Sequence, residues 1–299
     1  MGNSVAVVFP GQGSQKLGML SDIAEQYQQI GQTFDEASQA LGYDLWSIVQ
    51  SDEQKLNQTE YTQPALLTAG IALWRIALET QQISPAFLAG HSLGEYTALV
   101  AAESMAFSDA VQVVALRGKF MQSAVPPGAG AMAACLGLDD QTVSNICQQA
   151  AQGQVLSPVN FNSPGQVVIA GDKAAVERAM PLAKQAGARK VVLLPVSVPS
   201  HCQLMLPAAE QLAVVLADIA LQLPKYPVLH NVDVNVHQSV DAIRQALVNQ
   251  LSQPVRWVET IQYFAQHGVN TVLKSGPGKV LTGLNKRIDK NLACEVLPI

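Results

Sequence analysis

A serine set between two glycines, Gly90-His91-Ser92-Leu93-Gly94, constrains the fold of this chain more than any other stretch. A short apolar run, Ala86-Phe87-Leu88-Ala89, precedes it, and the residues from Glu95 to Ala102 read as the start of a helix. Between a strand and a helix, G-x-S-x-G makes a sharp turn that lifts the serine hydroxyl above the end of a sheet. Glycine on either side accepts the close packing and unusual backbone angles of such a turn. Glycine and serine are common enough for the bare pattern to arise by chance; the strand before it and the helix after it are what single it out. Ser92 is therefore the candidate nucleophile for covalent acyl chemistry.

The same alternation of strand and helix signals runs through the chain, which predicts an α/β layer architecture with a mainly parallel sheet. Val5-Ala6-Val7-Val8-Phe9, ended by Pro10-Gly11, reads as a buried strand followed by a loop. Helical patterns follow at 21–41, at 64–81 and at 108–123. Composition then changes at Pro126-Pro127-Gly128-Ala129-Gly130. Beyond it come strand signals near 131–138, 155–161, 166–170 and 190–194, with helices near 141–151 and 174–185. That β-α-β-β-α-β order is the order of a ferredoxin-like unit. Residues 128–197 are thus read as a small subdomain inserted into a larger one formed by 1–127 and 198–299. The larger one resumes with a helix near 205–219 and strands at 227–231 and 271–274.

A chain of 299 residues, 48% hydrophobic and only 14% charged, has the composition of a well-packed globular protein. Its net charge of −5 offers no domain-wide basic face and argues against a general nucleic-acid binder. Cys135, Cys147, Cys202 and Cys294 lack metal-site or C-x-x-C spacing and read as reduced thiols. The start, Met1-Gly2-Asn3-Ser4-Val5-Ala6, resembles a myristoylation site but has Ala6 where Ser or Thr is wanted. There is no basic-then-apolar leader and no apolar run long enough for a membrane span. The expectation is a cytoplasmic protein that engages neither nucleic acid nor membrane.

A serine hydroxyl needs a base within hydrogen-bond reach. Of the five histidines, His91 is adjacent to Ser92 and its side chain should diverge from it, while His237 and His267 lie in polar, surface-like segments. His201 lies in Ser197-Val198-Pro199-Ser200-His201-Cys202, a loop between a strand and a helix, where a scaffold holds functional groups well. It reads as the base, against an alternative of helix capping or packing. Asp109, Asp139, Asp140 and Asp172 each sit like a helix cap or first-turn residue, so no carboxylate stands out to orient His201. A carbonyl acceptor could do so instead. The amide of Leu93, after the nucleophile, would form half of an oxyanion hole, and the loop Pro10-Gly11-Gln12-Gly13-Ser14-Gln15 suits the other half. That loop matches neither a dinucleotide fingerprint nor a P-loop.

Arg117 falls on one stripe with Ala110, Val113, Val114 and Met121 at helical spacing. An arginine on a buried face normally has an anionic partner, because leaving it unpaired is costly. Two readings stay open: an internal salt bridge or snorkelling stem, and a fork for a substrate carboxylate.

Together these residues closely resemble the malonyl-CoA:acyl carrier protein transacylases of dissociated (type II) fatty-acid synthesis. The matching stretches run in order along nearly the whole chain: Phe9 to Gln15, Thr62-Gln63-Pro64-Ala65, Gly90 to Tyr96, Arg117, Asn160 to Gln166, Ser197 to His201, Asn231-Val232, and Gly276-Pro277-Gly278-Lys279-Val280-Leu281. The resemblance implies an α/β-hydrolase-like large subdomain carrying the ferredoxin-like insertion. It implies Ser92 as nucleophile, His201 as general base and then acid, and the Gln250 carbonyl as the orienter of His201. Gln12 and Leu93 would supply the oxyanion-hole amides, Arg117 would bind the malonyl carboxylate, and Gln63 would line the site. The reaction would be a ping-pong transfer from malonyl-CoA to the phosphopantetheine thiol of holo acyl carrier protein, by a monomer with no metal or redox cofactor. Ser275 departs from the family, which has an apolar residue before Gly-Pro-Gly. For docking an acidic carrier protein, Lys274, Lys279, Lys286, Arg287, Lys290 and Arg189-Lys190 form a candidate basic patch, ordinary solvated charge being the alternative. A thioesterase would share the serine, base and oxyanion hole, and Arg117 is what favours a carboxylated acyl group. A non-catalytic carrier-binding scaffold would need none of the three.

Overall fold

The computed structural model describes residues 4–196 and 198–299. Met1, Gly2 and Asn3 of the myristoylation look-alike, and Ser197 at the end of the expected insertion, lie outside the described residues.

Five parallel strands form one sheet: β1 (Val5–Phe9), β2 (Phe87–Gly90), β7 (Val228–Leu229), β8 (Thr271–Lys274) and β9 (Ala293–Val296), in the order β7-β2-β1-β8-β9. The strands are apolar because both faces are covered, as parallel sheets require. Successive residues of β1 alternate between two cores. Val7 and Phe9 pack with the helices Gln28–Leu41, Thr59–Thr80 and Phe107–Ser123, whereas Ala6 and Val8 pack with Trp257, Ile261 and Phe264. A second, antiparallel sheet is built from β3 (Gly130–Leu136), β4 (Leu156–Ser163), β5 (Gln166–Asp172) and β6 (Lys190–Leu193), in the order β4-β5-β3-β6. Its helices, Asp140–Ala151 and Lys173–Gln185, share a separate apolar cluster with it. This is the α/β architecture expected from the sequence, with the β-α-β-β-α-β order in place.

Two helices differ from the sequence reading. The pattern at 21–41 is broken: Ser21–Ala24 ends early, Tyr27 is extended (φ −128°, ψ 106°) and packs against the core, and Gln28–Leu41 starts afresh. Burying the tyrosine ring outweighs continuing the helix. The long helix begins at Thr59 and not at Pro64, which sits inside it. There the proline cannot donate to the Glu60 carbonyl, and the Thr62 hydroxyl ties the first turn down by donating to the carbonyls of Leu56 (2.5 Å) and Gln58 (3.0 Å). The helices Val240–Asn249, Trp257–Gln266 and Val280–Ile288 add to the expected set.

Three of the loops that matter below leave the carboxyl ends of adjacent parallel strands. Phe9 on β1 pairs with Gly90 on β2, and Val8 with Lys274 on β8, so the segments after Phe9, Gly90 and Lys274 emerge side by side. In open α/β sheets that edge is where ligands bind. The two elbow glycines are required by contact. A Cβ on Gly90 would lie 1.8 Å from the Gly94 carbonyl carbon, and one on Gly94 would lie 2.1 Å from Phe9 O.

The Gly94→Ala substitution is therefore expected to cost about 3 kcal/mol or more of unfolding free energy, since it forces backbone apart. By contrast, Gly31→Ala, exposed within the Gln28–Leu41 helix with open space around its Cβ position, should stabilise by about 0.5–1 kcal/mol. Urea unfolding of both variants tests the pair.

Candidate active site

Ser92 has φ +54°, a left-handed conformation that costs a non-glycine residue about 1–3 kcal/mol and persists only when its surroundings fix it. They do so from both sides. The Ser92 amide donates to Asn231 Oδ1 (2.7 Å), and the Ser92 carbonyl accepts from Gln250 Nε2 (2.9 Å). Asn231 Nδ2 also donates to the Gly90 carbonyl (2.7 Å). Both clamps converge on the fully buried carboxylate of Glu95, in the first turn of the Gly94–Ala101 helix. Its Oε2 accepts from the Asn231 amide and from Gln250 Nε2, both at 2.9 Å, and its Oε1 lies 2.7 Å from His230 Nδ1. A buried carboxylate with three donors is satisfied, and is strongly position-specific for that reason.

His201 meets the serine: its Nε2 lies 2.8 Å from Ser92 Oγ, and its Nδ1 lies 2.7 Å from the Gln250 carbonyl. A carbonyl can only accept, so the ring proton belongs on Nδ1 and Nε2 is left to accept the serine proton. The backbone reaches this position under strain of its own. His201 has φ +65°, its amide donates to the Leu251 carbonyl (2.9 Å), and Pro199 packs over Gly130, where a Cβ would sit 2.3 Å from the proline Cγ. Burial, and secondarily the charge of Arg117, push the His201 imidazole down to about 3, against the pull of the Gln250 carbonyl. The ring is a neutral base at physiological pH.

Arg117 is buried, as its helical stripe required, in the Phe107–Ser123 helix. Close approach of that helix to the start of the Thr59–Thr80 helix, where Gly118 leaves no room for a Cβ against Thr59 O (2.6 Å), brings Arg117 to Gln63. One terminal nitrogen donates to Gln63 Oε1 (2.7 Å), and the other to Gln250 Oε1 (2.9 Å) and to Ser92 Oγ (3.4 Å). The guanidinium carbon lies 5.5 Å from the Tyr96 ring centroid. Among the described residues Arg117 Nε has no partner and no carboxylate lies within ion-pair distance. The internal salt bridge is thus not what holds it. The buried cation is held only by neutral oxygens, with Ser92 Oγ among them.

The Pro10-to-Gln15 loop lies against the elbow; a Cβ on Gly11 would come within 2.5 Å of His91 O. No hydrogen bond among the described residues uses the amides of Gln12 or Leu93. Several of the remaining histidines and acids have structural partners. His91 Nε2 pairs with Asn162 Oδ1 (2.7 Å), tying β4 to the elbow, and burial holds its imidazole below the usual histidine range. His237 is half-buried against His230, with ring centroids 4.7 Å apart, and so is not the surface residue expected. Asp139 caps its helix by accepting from the Thr142 amide, and Asp172 accepts from Val155. Burial pushes the Cys202 thiol up to about 11, and it donates to Pro199 O.

Sequence reasoning missed Glu95 and His230, and it matched Asn231 without assigning it a role. A signal was available: Glu95 is a lone charge in the apolar helix Gly94–Ala101, the same anomaly that exposed Arg117. Lys274 must leave the basic patch. It is buried and donates to the carbonyls of Gly276 and Gly278. Lys279, Lys286, Arg287, Lys290, Arg189 and Lys190 are exposed. Ser275, unusual for the resemblance, donates its hydroxyl to Gly70 O (3.0 Å) and so is satisfied in its buried position.

Residues 6–290 match the acyl transferase domain family. The malonyl CoA-acyl carrier protein transacylase of Escherichia coli is 57% identical over 293 residues, 98% of this chain and 95% of that protein. The protein of the same name from Bacillus subtilis is 43% identical over 97% of this chain and 92% of its own. Among solved structures, an acyl carrier protein S-malonyltransferase from Vibrio cholerae superposes with a TM-score of 0.96 at 55% identity, covering 98% of this chain and 96% of that one. A malonyl-transacylase in complex with its type II PKS acyl-carrier protein superposes at 0.97 and 55%, covering 99% and 97%. The chain belongs to the acyl transferase domain family.

Because Arg117 helps hold His201 neutral, Arg117→Gln is expected to move the imidazole's protonation midpoint upward from its low value, as followed by NMR of labelled histidine. The folded value lies below the ordinary 6.5, so the unfolded chain binds more protons between the two. The stability from this group is full above pH 6.5 and is lost as pH falls toward about 3.

Proposed function

We propose that this member of the acyl transferase family moves the malonyl group from malonyl-CoA to the phosphopantetheine thiol of acyl carrier protein, through a malonyl-serine intermediate. The observation that carries the reading is Arg117: a buried guanidinium 3.4 Å from Ser92 Oγ whose partners are all neutral. Malonyl differs from acetyl by a carboxylate at the end away from the thioester, which is the group this fork would accept bidentately. The relatives named for malonyl transfer to acyl carrier protein, and the one solved with its carrier protein, support the same reading.

In the first half-reaction Ser92 Oγ attacks the thioester carbonyl carbon as its proton passes to His201 Nε2. The Gln12 and Leu93 amides hold the oxygen that becomes negative. Collapse breaks the carbon–sulfur bond, and the His201 imidazolium returns the proton to the departing CoA thiolate. In the second half-reaction the carrier thiol gives its proton to His201 and attacks the malonyl-serine carbon; the carbon–oxygen bond then breaks and the imidazolium returns the proton to the departing Ser92 Oγ. The imidazolium that forms twice is held in plane by the Gln250 carbonyl. Every step is a proton or acyl transfer, so the chemistry asks for no metal or redox cofactor, and malonyl-CoA enters as substrate. All the groups named come from one chain, so a monomer is sufficient, and we place the reaction in the cytoplasm.

Arg117 also ties specificity to reactivity. Its charge opposes protonation of His201, and a malonyl carboxylate seated on it cancels that charge. The base therefore strengthens when a carboxylated acyl group is bound, and an acetyl group leaves it weak.

Incubation with malonyl-CoA should add one malonyl mass at Ser92, seen by intact-protein and peptide mass spectrometry, and holo carrier protein should remove it as malonyl-carrier. Release as free malonate instead would make the protein a thioesterase, and the absence of an adduct would defeat the reading. Arg117→Ala should reduce kcat/KM for malonyl-CoA by about a hundredfold or more, close to 3 kcal/mol, while acetyl-CoA, relieved of the charge that weakens His201, reacts as fast as before or faster.

A further inference from the structure

The buried Lys274 has no role in the mechanism above, and its surroundings are unusual for a lysine. It ends β8, aligned with Val8 of β1 and Val296 of β9, and only 3% of its surface is exposed. Among the described residues it pairs with no carboxylate. Its ammonium instead donates to two backbone carbonyls of the turn that follows, Gly276 O and Gly278 O (2.7 Å). Both glycines have positive φ (135° and 74°), which turns the backbone so that those carbonyls converge on one side-chain nitrogen.

That turn packs on the oxyanion loop. A Cβ on Gly276 would fall 2.6 Å from Pro10 Cδ, and one on Gly278 would fall 3.3 Å from Ser14 Cβ and Ser14 O. Pro10 and Ser14 bracket Gln12. On its other side the loop meets the elbow through Gly11 and His91 O. The segment carrying the Gln12 amide is therefore held between two walls: the elbow, and a turn tied by one lysine.

We infer that Lys274 is a positioning residue for the oxyanion hole: by binding the Gly276 and Gly278 carbonyls, its ammonium holds the turn against Pro10 and Ser14 and so sets the place of the Gln12 amide. The inference rests on the acyl-serine reading above. A tie of this kind must be charged to bind two carbonyls strongly. Burial alone pulls Lys274 down to about 8 from the ordinary 10.5. The charged groups on the elements around it are Glu295 on β9, Lys286 and Arg287 on the Val280–Ile288 helix, and Glu60, Arg75 and Glu79 on the Thr59–Thr80 helix; β1 carries none. None is ion-paired with Lys274, so the protein keeps this charge at a cost to stability. Between pH 8 and 10.5 the unfolded chain binds more protons than the folded one, and the folded state gains stability as Lys274 is neutralised. A group that burdens the fold while holding an active-site wall fits a functional use.

The test is the single-turnover rate of malonyl-Ser92 formation, measured against pH in a rapid-quench instrument with detection by mass. This half-reaction involves no attacking thiol, so an alkaline limb belongs to the protein. Active sites are counted by a serine-directed covalent reagent, so that misfolded molecules drop out. In the unaltered protein the rate should fall as pH rises through about 8. Lys274→Met should lower the rate per active site at neutral pH by about tenfold or more, because displacing a group at the reacting centre is costly. It should also remove the limb while leaving KM within about twofold. Lys274→Arg, which stays charged, should restore most of the rate and carry the limb beyond the measured range. The inference is overturned by a rate per site within twofold of the unaltered protein in Lys274→Met, or by an unchanged limb in Lys274→Arg, which stands as the second test if the methionine variant fails to fold. Absence of any adduct in the unaltered protein would instead strike the acyl-serine reading itself.

Discussion

The carboxamide of Gln250 is the contact on which the rest of the site depends. Its oxygen accepts from Arg117, its nitrogen donates to the Ser92 carbonyl and to Glu95, and its own backbone carbonyl orients His201. One buried residue thereby fixes the nucleophile's backbone, the base's tautomer and the anion fork in a common frame. An amide suits this post because it presents a donor and an acceptor at once. A carboxylate there would neutralise Arg117 and repel Glu95, and an apolar side chain would take one hydrogen bond from each of Arg117, Glu95 and the Ser92 carbonyl in a dry interior.

The parallel sheet explains how such distant residues come to share that frame. Strands in register end together, so the loop after β1, the elbow after β2, the His230–Asn231 segment after β7 and the glycine turn after β8 occupy one edge. His201 arrives by another route, on the chain returning from the antiparallel sheet, and three contacts bind that sheet to the edge. His91 meets Asn162, the Phe161 amide donates to Val255 O (3.0 Å), and the Val255 amide donates to Val159 O (2.9 Å). The insertion is thus part of the means by which the base reaches the nucleophile.

What the sequence revealed, and what it hid, follows from how each residue acts. Ser92 was legible because an elbow demands glycine at positions where any Cβ would meet backbone. Arg117 was legible because a charge at helical spacing on an apolar stripe is a visible conflict. Gln250 could be reached only through resemblance: its decisive group toward His201 is a backbone carbonyl, and every residue has one. Asn231 and His230 acquire their meaning from Glu95, more than a hundred residues away in sequence, so no local pattern marks them. Lys274 was misread for a related reason. It stands among other lysines near the chain's end, and its burial comes from the pairing of β8 between β1 and β9, which spacing along the chain does not encode. The break at Tyr27 and the early start at Thr59 were likewise decided by tertiary packing and side-chain capping over local pattern.

Of three buried charges, Arg117 and Glu95 beside the Ser92 segment and Lys274 at the end of β8, only Glu95 is fully satisfied within the described residues. Its carboxylate is met by three donors and stabilises the strained elbow. Arg117 lacks an anion and Lys274 lacks a carboxylate, so both oppose folding to the extent that their charge is desolvated. The asymmetry is informative. Glu95, which organises the elbow, is given its partners in the fold, whereas on the proposed function Arg117 is left with neutral oxygens that a substrate carboxylate can supplement. Filling Arg117's surroundings with an internal acid would relieve the fold and remove the difference between a malonyl and an acetyl group in the same stroke. On the function proposed above, the unpaired guanidinium is instability held in reserve until a carboxylated acyl group supplies the missing charge.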